Sequence, residues 1–264
     1  MILAACDTSG TVHSVAEQQL YDRIGAGYSA MRKADPRWAA AVRAALGDAE
    51  NVLNAGAGAG SYEPTDLPVI AFDPSIRMLR QRDPKAAPAV AAAAEAIPFR
   101  DGAFDASMAT LTIHHWADWR RGLAEIKRVT RRRIVILTAD VFRDGSPFWL
   151  KDYFPGIETW DRANVQPIPD VLAELWPARV EPLPVPADCT DGFCGAYWRR
   201  PAAYLEPEVR GSISGFSQIT EEETRSGLAH LKDHLETGRW KERYGRLLDL
   251  DEVDIGYRLV VAER

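Results

Sequence analysis

From residue 50 to residue 139, strand and helix signals take turns along the chain. Residues 50–54, 68–72, 88–92, 104–110 and 133–139 read as strands. Between the last two a helix opens near Trp119, with Trp119, Leu123, Ile126 and Val129 at helical spacing. Parallel neighbours need crossover connections, so the alternation predicts a mostly parallel sheet covered on both faces. Upstream, Ser14 and Glu17 form a capping box that opens a helix through about Arg32, and Asp35-Pro36 opens a second that Gly47 ends. Residues 1–12 read as a loose arm. Beyond Asp140 the texture changes to Pro and aromatics. Residues 141–188 read as an irregular cap around a strand near 178–185, followed by a helix near 191–205 and another from Thr220 to Gly238. The tail "DIGYRLVVAER" reads as a last strand.

No internal repeat or low-complexity linker divides the 264 residues, a length that can bury one large core, so a single domain is expected. A net charge of -6 argues against a non-specific polyanion-binding surface, and Arg131-Arg132-Arg133 reads as a solvated strand edge. Three cysteines in so long a chain make no disulfide framework and suit a reducing cytoplasm. The opening "MILAAC" lacks the basic and apolar regions of a lipoprotein leader, and no apolar run reaches membrane-spanning length.

Binding chemistry is expected at the turn after the first of these strands, "NAGAGAGSYEP". Glycines there let backbone approach a ligand where a Cβ would clash. Gly56, Gly58 and Gly60 are spaced G-x-G-x-G with Ser61 next, which is not the G-x-G-x-x-G of a dinucleotide turn, and no Gly-Lys-Ser/Thr follows. Asp73 ends the next strand, where a carboxylate can accept both hydroxyls of a ribose; Ser75 reads as the cap of the helix that begins "IRML".

Four segments in register, "NAGAGAG", "FDPSIRML", "AEAIPFRDGAFD" and "LTIHHWADWRRGLAEIKRV", resemble the class I S-adenosylmethionine-dependent methyltransferases of the small-molecule type 11 kind, over about residues 15 to 139. The resemblance implies an α/β fold, Rossmann-like and doubly wound. Its sheet would be mostly parallel and seven-stranded with an antiparallel last strand, plus a C-terminal helical and irregular cap. It implies helices in 13–47 acting as a lid, a cofactor-binding core over 48–140, a substrate-side elaboration over 141–250 and the last strand in 251–264. It implies S-adenosylmethionine as cofactor and S-adenosylhomocysteine as product. Carried over residue by residue, Gly56, Gly58 and Gly60 would pack under the methionine and ribose parts, and Asp73 would bind the ribose. Ile76 would pack on the adenine and Ala94-Glu95 would line it, with Asn54, Ala55 and Pro74 also among the cofactor-binding residues. Thr110 and Leu111 would lie near the transferable methyl, with Tyr21 and Tyr28 closing over the cofactor. The chain departs from the family at Asn54 and Ala93, where acidic residues are usual, and at "TRRR", which replaces a Pro-Gly-Gly turn. Pro64 and Pro68 imply a stunted first crossover helix, leaving Tyr62 and Glu63 to face the cofactor.

Methyl transfer from a sulfonium asks the protein mainly for alignment and a dry pocket. A base is needed only where the acceptor must lose a proton. His114 and His115 follow the fourth strand at the ligand-binding edge and are the expected bases, at most one of them facing the substrate; each also reads as a residue that fixes its loop. His13 is a further base. His230 and His234 have metal-ligand spacing, but Leu228, Leu231 and Leu235 claim the apolar face and turn both to solvent, so no metal is expected. Phe148, Trp149, Tyr153, Trp160, Phe193, Tyr197 and Trp198 supply an acceptor wall, with Trp149, Tyr153, Tyr197 and Trp198 as substrate contacts; Asp191 reads as a helix cap. The expected activity is methylation of a small, apolar or aromatic acceptor in secondary metabolism. It would be carried out by a monomer or homodimer in the cytoplasm, with no membrane or nucleic-acid partner. The alternatives are an RNA or protein methyltransferase and a non-catalytic S-adenosylmethionine-binding protein. Arsenite methylation through Cys6, Cys189 and Cys194 is a remote third.

Overall fold

The computed structural model describes residues 3–4 and 31–264. The helix expected over 14–32, with Tyr21, Tyr28 and His13, therefore lies almost wholly outside the described residues, as does Cys6. The first helix within them, α1 (Pro36–Leu46), is capped by Asp35, whose side chain accepts the Arg37 amide, and it ends at Gly47 in a positive-φ turn. Trp38, Val42, Ala45 and Leu46 form its buried stripe.

Among the described residues ten strands follow in order, β1 (Leu3–Ala4), β2 (Val52–Ala55), β3 (Val69–Asp73), β4 (Ala89–Ala91), β5 (Phe104–Thr110), β6 (Thr130–Ala139), β7 (Ala178–Pro182), β8 (Val185–Pro186), β9 (Glu252–Val253) and β10 (Tyr257–Glu263). Eight of them make one sheet in the order β1-β4-β3-β2-β5-β6-β10-β7. Only β10 runs antiparallel, to β6 on one side and β7 on the other. The seven expected strands are all present, and residues 1–12, expected as a loose arm, add β1 beside β4 as a two-residue edge. Alternate residues serve opposite faces. Val52, Met108, Val135 and Val261 join a core with α1 and the C-terminal half, whereas Leu53, Ala109, Ile136 and Val260 pack on the other side. There they meet α3 (Trp119–Val129) through Leu123, Ile126 and Val129, with Asp118 as its cap. The helix between β3 and β4 is α2 (Ile76–Leu79), a single turn capped by Ser75. The chain reverses its winding between β2 and β5, which opens a crevice at their carboxyl ends.

Three expectations need correcting. No helix, stunted or otherwise, joins β2 to β3: residues 56–68 are turns, tied down by side chains rather than by helical hydrogen bonds. Residues 141–188 are more regular than expected, because prolines at helical first turns start α4 (Pro155–Asn164) and α5 (Ile168–Glu174). The expected helix near 191–205 is broken into two short 3-10 turns, Cys194–Tyr197 and Pro201–Leu205. Pro201 interrupts it, and Gly195 lies so close to Ile255 and Tyr257 that no Cβ would fit. The rest of the cap is the β8-β9 ribbon, α6 (Pro207–Gly211), α7 (Glu221–Glu236) and α8 (Arg239–Tyr244). The arginine run is paired, Arg131 with Asp105, Arg132 with Asp48 and Arg133 with Glu263.

Of the aromatics assigned to the acceptor wall, Phe148, Trp149, Tyr153, Tyr197 and Trp198 are instead core, while Trp160 and Phe193 line a cavity. Trp149 is 1% exposed and donates its indole N–H to the Trp198 carbonyl at 2.8 Å, while the Trp198 indole bonds the Val185 carbonyl at 3.0 Å. Tyr153 packs on His234, its hydroxyl 3.0 Å from Nδ1, and Tyr197 lies buried beneath the Arg200 guanidinium. His234 is thus drawn in, and only His230 stays exposed. Trp149→Phe removes a hydrogen bond from a buried carbonyl and should lower stability by about 1–3 kcal/mol in urea unfolding while leaving KM for the acceptor unchanged. A raised KM at unchanged stability would return Trp149 to the acceptor wall.

Candidate active site

The crevice at the ends of β2 and β5 holds a cavity of about 470 Å³. Its floor is the turn after β2. Gly56 (φ 62°) and Gly58 (φ 51°) both take left-handed backbone, and a Cβ at Gly56 would run into the Thr112 side chain. The turn is held by the next strand. Asp73 Oδ2 accepts the Gly58 amide at 2.8 Å and Oδ1 accepts the Ser75 amide at 2.8 Å, while Ser75 Oγ caps α2. Each carboxylate oxygen so keeps a lone pair for a ligand at the cavity wall. Burial pushes the Asp73 pKa up, and the two amides and Arg82 act against it.

Asn54 stands at the end of β2 and also lines the cavity. Its Nδ2 donates to Glu63 Oε1 at 2.9 Å, and both oxygens of Glu63 are gripped by Arg82 at 2.7 Å. With its N–H engaged behind, the amide is left to offer Oδ1 as an acceptor, with the Glu63 charge one bond further away. Tyr62 and Glu63 do not themselves face the cavity. Tyr62, buried at φ 65°, donates its hydroxyl to Asp191 Oδ2 at 2.7 Å. Asp191 also accepts from Arg32 Nε at 2.8 Å, so it is a buried anchor and not a helix cap. Pro74, Ile76, Ala94, Glu95, Thr110 and Leu111 line the cavity as well, Ile76 standing 46% exposed at the rim. Glu95 accepts the Asp118 amide at 2.9 Å, which ties this wall to the start of α3. Ala55 and Gly60 do not line it: Ala55 is buried in β2, and the Gly60 amide closes the turn onto the Ala57 carbonyl.

A second, smaller chamber of about 80 Å³ adjoins the first, and the two share Arg32, Leu111 and His115. Leu111 takes φ 50°, a conformation a non-glycine side chain rarely adopts, at the wall common to both. His114 and His115 both face the chamber, correcting the expectation that one at most would do so; their rings lie 3.9 Å apart. Burial, and then Arg32, lowers the His114 pKa to about 4 and His115 well below its ordinary value, His114 itself adding to the second shift. Imidazoles so depressed are neutral and weakly basic at pH 7, which suits a positioning role better than a base. The rest of the chamber is Trp160, Phe193 and Tyr257 with aliphatic neighbours, Cys194, Ser212 and Ser214, and one carboxylate, Asp161. Sequence reasoning passed over Asp161 and Arg32, since neither lies in a motif and the fold alone brings them to the site. The thiols of Cys189 and Cys194 are pushed up by burial, the first to about 12, so neither is a ready thiolate.

Residues 53–137 match the family model described as "Methyltransferase domain". No protein of curated function matches the chain. Among solved structures, a protein from Anabaena variabilis assigned as a methyltransferase of an antibiotic biosynthesis pathway is 32% identical with a TM-score of 0.82, over 88% of this chain and 98% of that one. A geranyl diphosphate C-methyltransferase from Streptomyces coelicolor, solved with S-adenosylhomocysteine, is 16% identical with a TM-score of 0.49, over 86% of this chain and 75% of that one.

Two measurements probe this geometry. S-adenosylhomocysteine should raise the Tm of the wild type, and Asp73→Ala should abolish the rise while the protein still folds, since a bound ligand stabilises by mass action. The histidines give the other. Unfolded histidine takes up protons below about pH 6.5, but His114 does not until about 4, so its contribution is complete above 6.5 and is lost as the pH falls toward 4. The Tm of His114→Gln, relative to wild type, should therefore rise on acidification from pH 7 to pH 4. A constant difference would mean that His114 titrates normally.

Proposed function

We propose that this chain, which belongs to the class I S-adenosylmethionine-dependent methyltransferases, passes its methyl group to a small organic acceptor. S-adenosylmethionine is the cofactor and S-adenosylhomocysteine the product. When bound, the cofactor supplies a methyl on a cationic sulfonium, already activated for in-line displacement. The residues fit such a ligand: two glycines leave room for its backbone-facing side, Asp73 has free lone pairs for a ribose diol, and Asn54 offers Oδ1 to an ammonium. Leu111 and His115 separate cofactor from acceptor, and the aromatic walls beyond them exclude water and hold the acceptor in line.

The chamber of about 80 Å³ behind Leu111 carries the small-acceptor reading, because it admits the reacting end of a small molecule and has no extended groove for a polymer. The net charge of -6 disfavours RNA as the acceptor. The assignment of the Anabaena protein to antibiotic biosynthesis supports a place in secondary metabolism. Free Cys189 and Cys194 favour the reducing cytoplasm, and no described helix is long and apolar enough to cross a membrane. Methyl-labelled S-adenosylmethionine incubated with the protein and a cell extract, then ultrafiltered and chromatographed, should give a labelled small molecule other than S-adenosylmethionine that is absent when the protein is left out. Label retained with RNA or protein would overturn the reading.

A further inference from the structure

The acceptor chamber contains an electrostatic oddity. Asp161, on α4, presents a carboxylate to it, and among the described residues no hydrogen-bond or ion-pair partner reaches that group. The nearby charges do not neutralise it. Asp140 and Glu158 add to it, Arg162 is turned away to Glu158, Asp144 and the Phe142 carbonyl, and Arg32 is committed to Asp191. The histidines opposite are neutral, and the Cys194 thiol and Tyr257 phenol are held protonated by burial. The remaining walls carry no charge: they are apolar or aromatic, Trp160, Phe193, Ile157 and Ile213 among them, with the hydroxyl residues Ser212 and Ser214. A carboxylate left without a counter-ion in such a place is costly, and its own pKa responds by rising to about 7, through burial first and Asp140 second.

We propose that Asp161 holds the charged nitrogen of a small amine, which is the methyl acceptor of this enzyme. The inference rests on the small-acceptor reading above and narrows it. An ammonium is what the chamber lacks: it would pair with the carboxylate and lie against the faces of Trp160 and Phe193, which favour cations. An acidic acceptor would meet an unpaired negative charge, and a neutral alcohol would leave that charge uncompensated. The raised basicity of Asp161 also suits the proton traffic. The nitrogen passes one proton to a carboxylate oxygen, its freed lone pair forms the new N–C bond as the S–C bond breaks, and methylammonium and thioether result.

Benzylamine, benzyl alcohol and benzoate, nearly equal in size, separate these possibilities when titrated at pH 8 into protein saturated with S-adenosylhomocysteine. Benzylamine should bind at least about 10-fold more tightly than either other probe. Its affinity should fall as the pH drops from 8 to 6, as Asp161 takes up a proton. Asp161→Asn should reduce benzylamine to the level of benzyl alcohol with S-adenosylhomocysteine affinity unchanged; the variant removes a half-buried unpaired charge and should fold. Benzoate or benzyl alcohol binding as tightly as benzylamine would overturn the proposal, and so would benzylamine binding that survives Asp161→Asn or ignores pH. Failure to bind S-adenosylhomocysteine at all would instead sink the methyl-transfer reading.

Discussion

Two backbone amides on one carboxylate hold this site together. Asp73 takes the Gly58 amide on one oxygen and the Ser75 amide on the other, so the turn after β2 and the start of α2 are both referred to the end of β3. That matters here because the connection from β2 to β3 contains no helix to brace it. Its stability comes from side-chain tethers instead: Tyr62 to Asp191, Glu63 to Arg82 and Asn54, and Asp66 to Arg43. Arg82 and Glu63 are 6% and 8% exposed, which removes their pairing from solvent screening but leaves each dependent on the other. Removing either would strand a buried charge beside the cofactor cavity.

The same economy governs the acceptor side. Asp191 accepts both the Tyr62 hydroxyl and the Arg32 guanidinium, linking the tethered turn to the residue that borders both cavities. The strained Leu111 then sits where β5 ends and the two cavities meet. Strain of this kind persists only where the surroundings over-determine it, and the bond from the Leu111 amide to the Leu137 carbonyl is one such restraint. Around the chamber Arg32 pairs with Asp191, Arg162 with Glu158 and Arg258 with Asp254, whereas Asp161 lines it without such a partner and gives it its polarity.

The strands of the sheet were legible where continuous apolar runs such as 69–72 and 134–137 stand between turn signals, as in strands covered on both faces. Asp73 and Ser75 were legible because a strand end and a cap have local chemistry. What escaped was set by distant packing. Trp149, Tyr153, Tyr197 and Trp198 read as core at least as readily as pocket, and only the folded cap shows that they turn inward. Asp191 resembles a cap until Arg32 and Tyr62, far off in sequence, are seen to meet it. Asp161 carries no local signal at all, since its importance is the absence of a partner, a property of the assembled chamber.

Methyl transfer into the Asp161 chamber requires the cavity on the glycine turn to orient S-adenosylmethionine with its reactive sulfur toward the wall that Leu111 and His115 share with that chamber. A crystal structure of the S-adenosylhomocysteine complex decides it. Both ribose hydroxyls should lie on the Asp73 carboxylate, with the amino-acid end at Asn54 Oδ1 and the sulfur facing Leu111. A nucleoside bound away from Asp73, or a sulfur turned from the chamber, would contradict it.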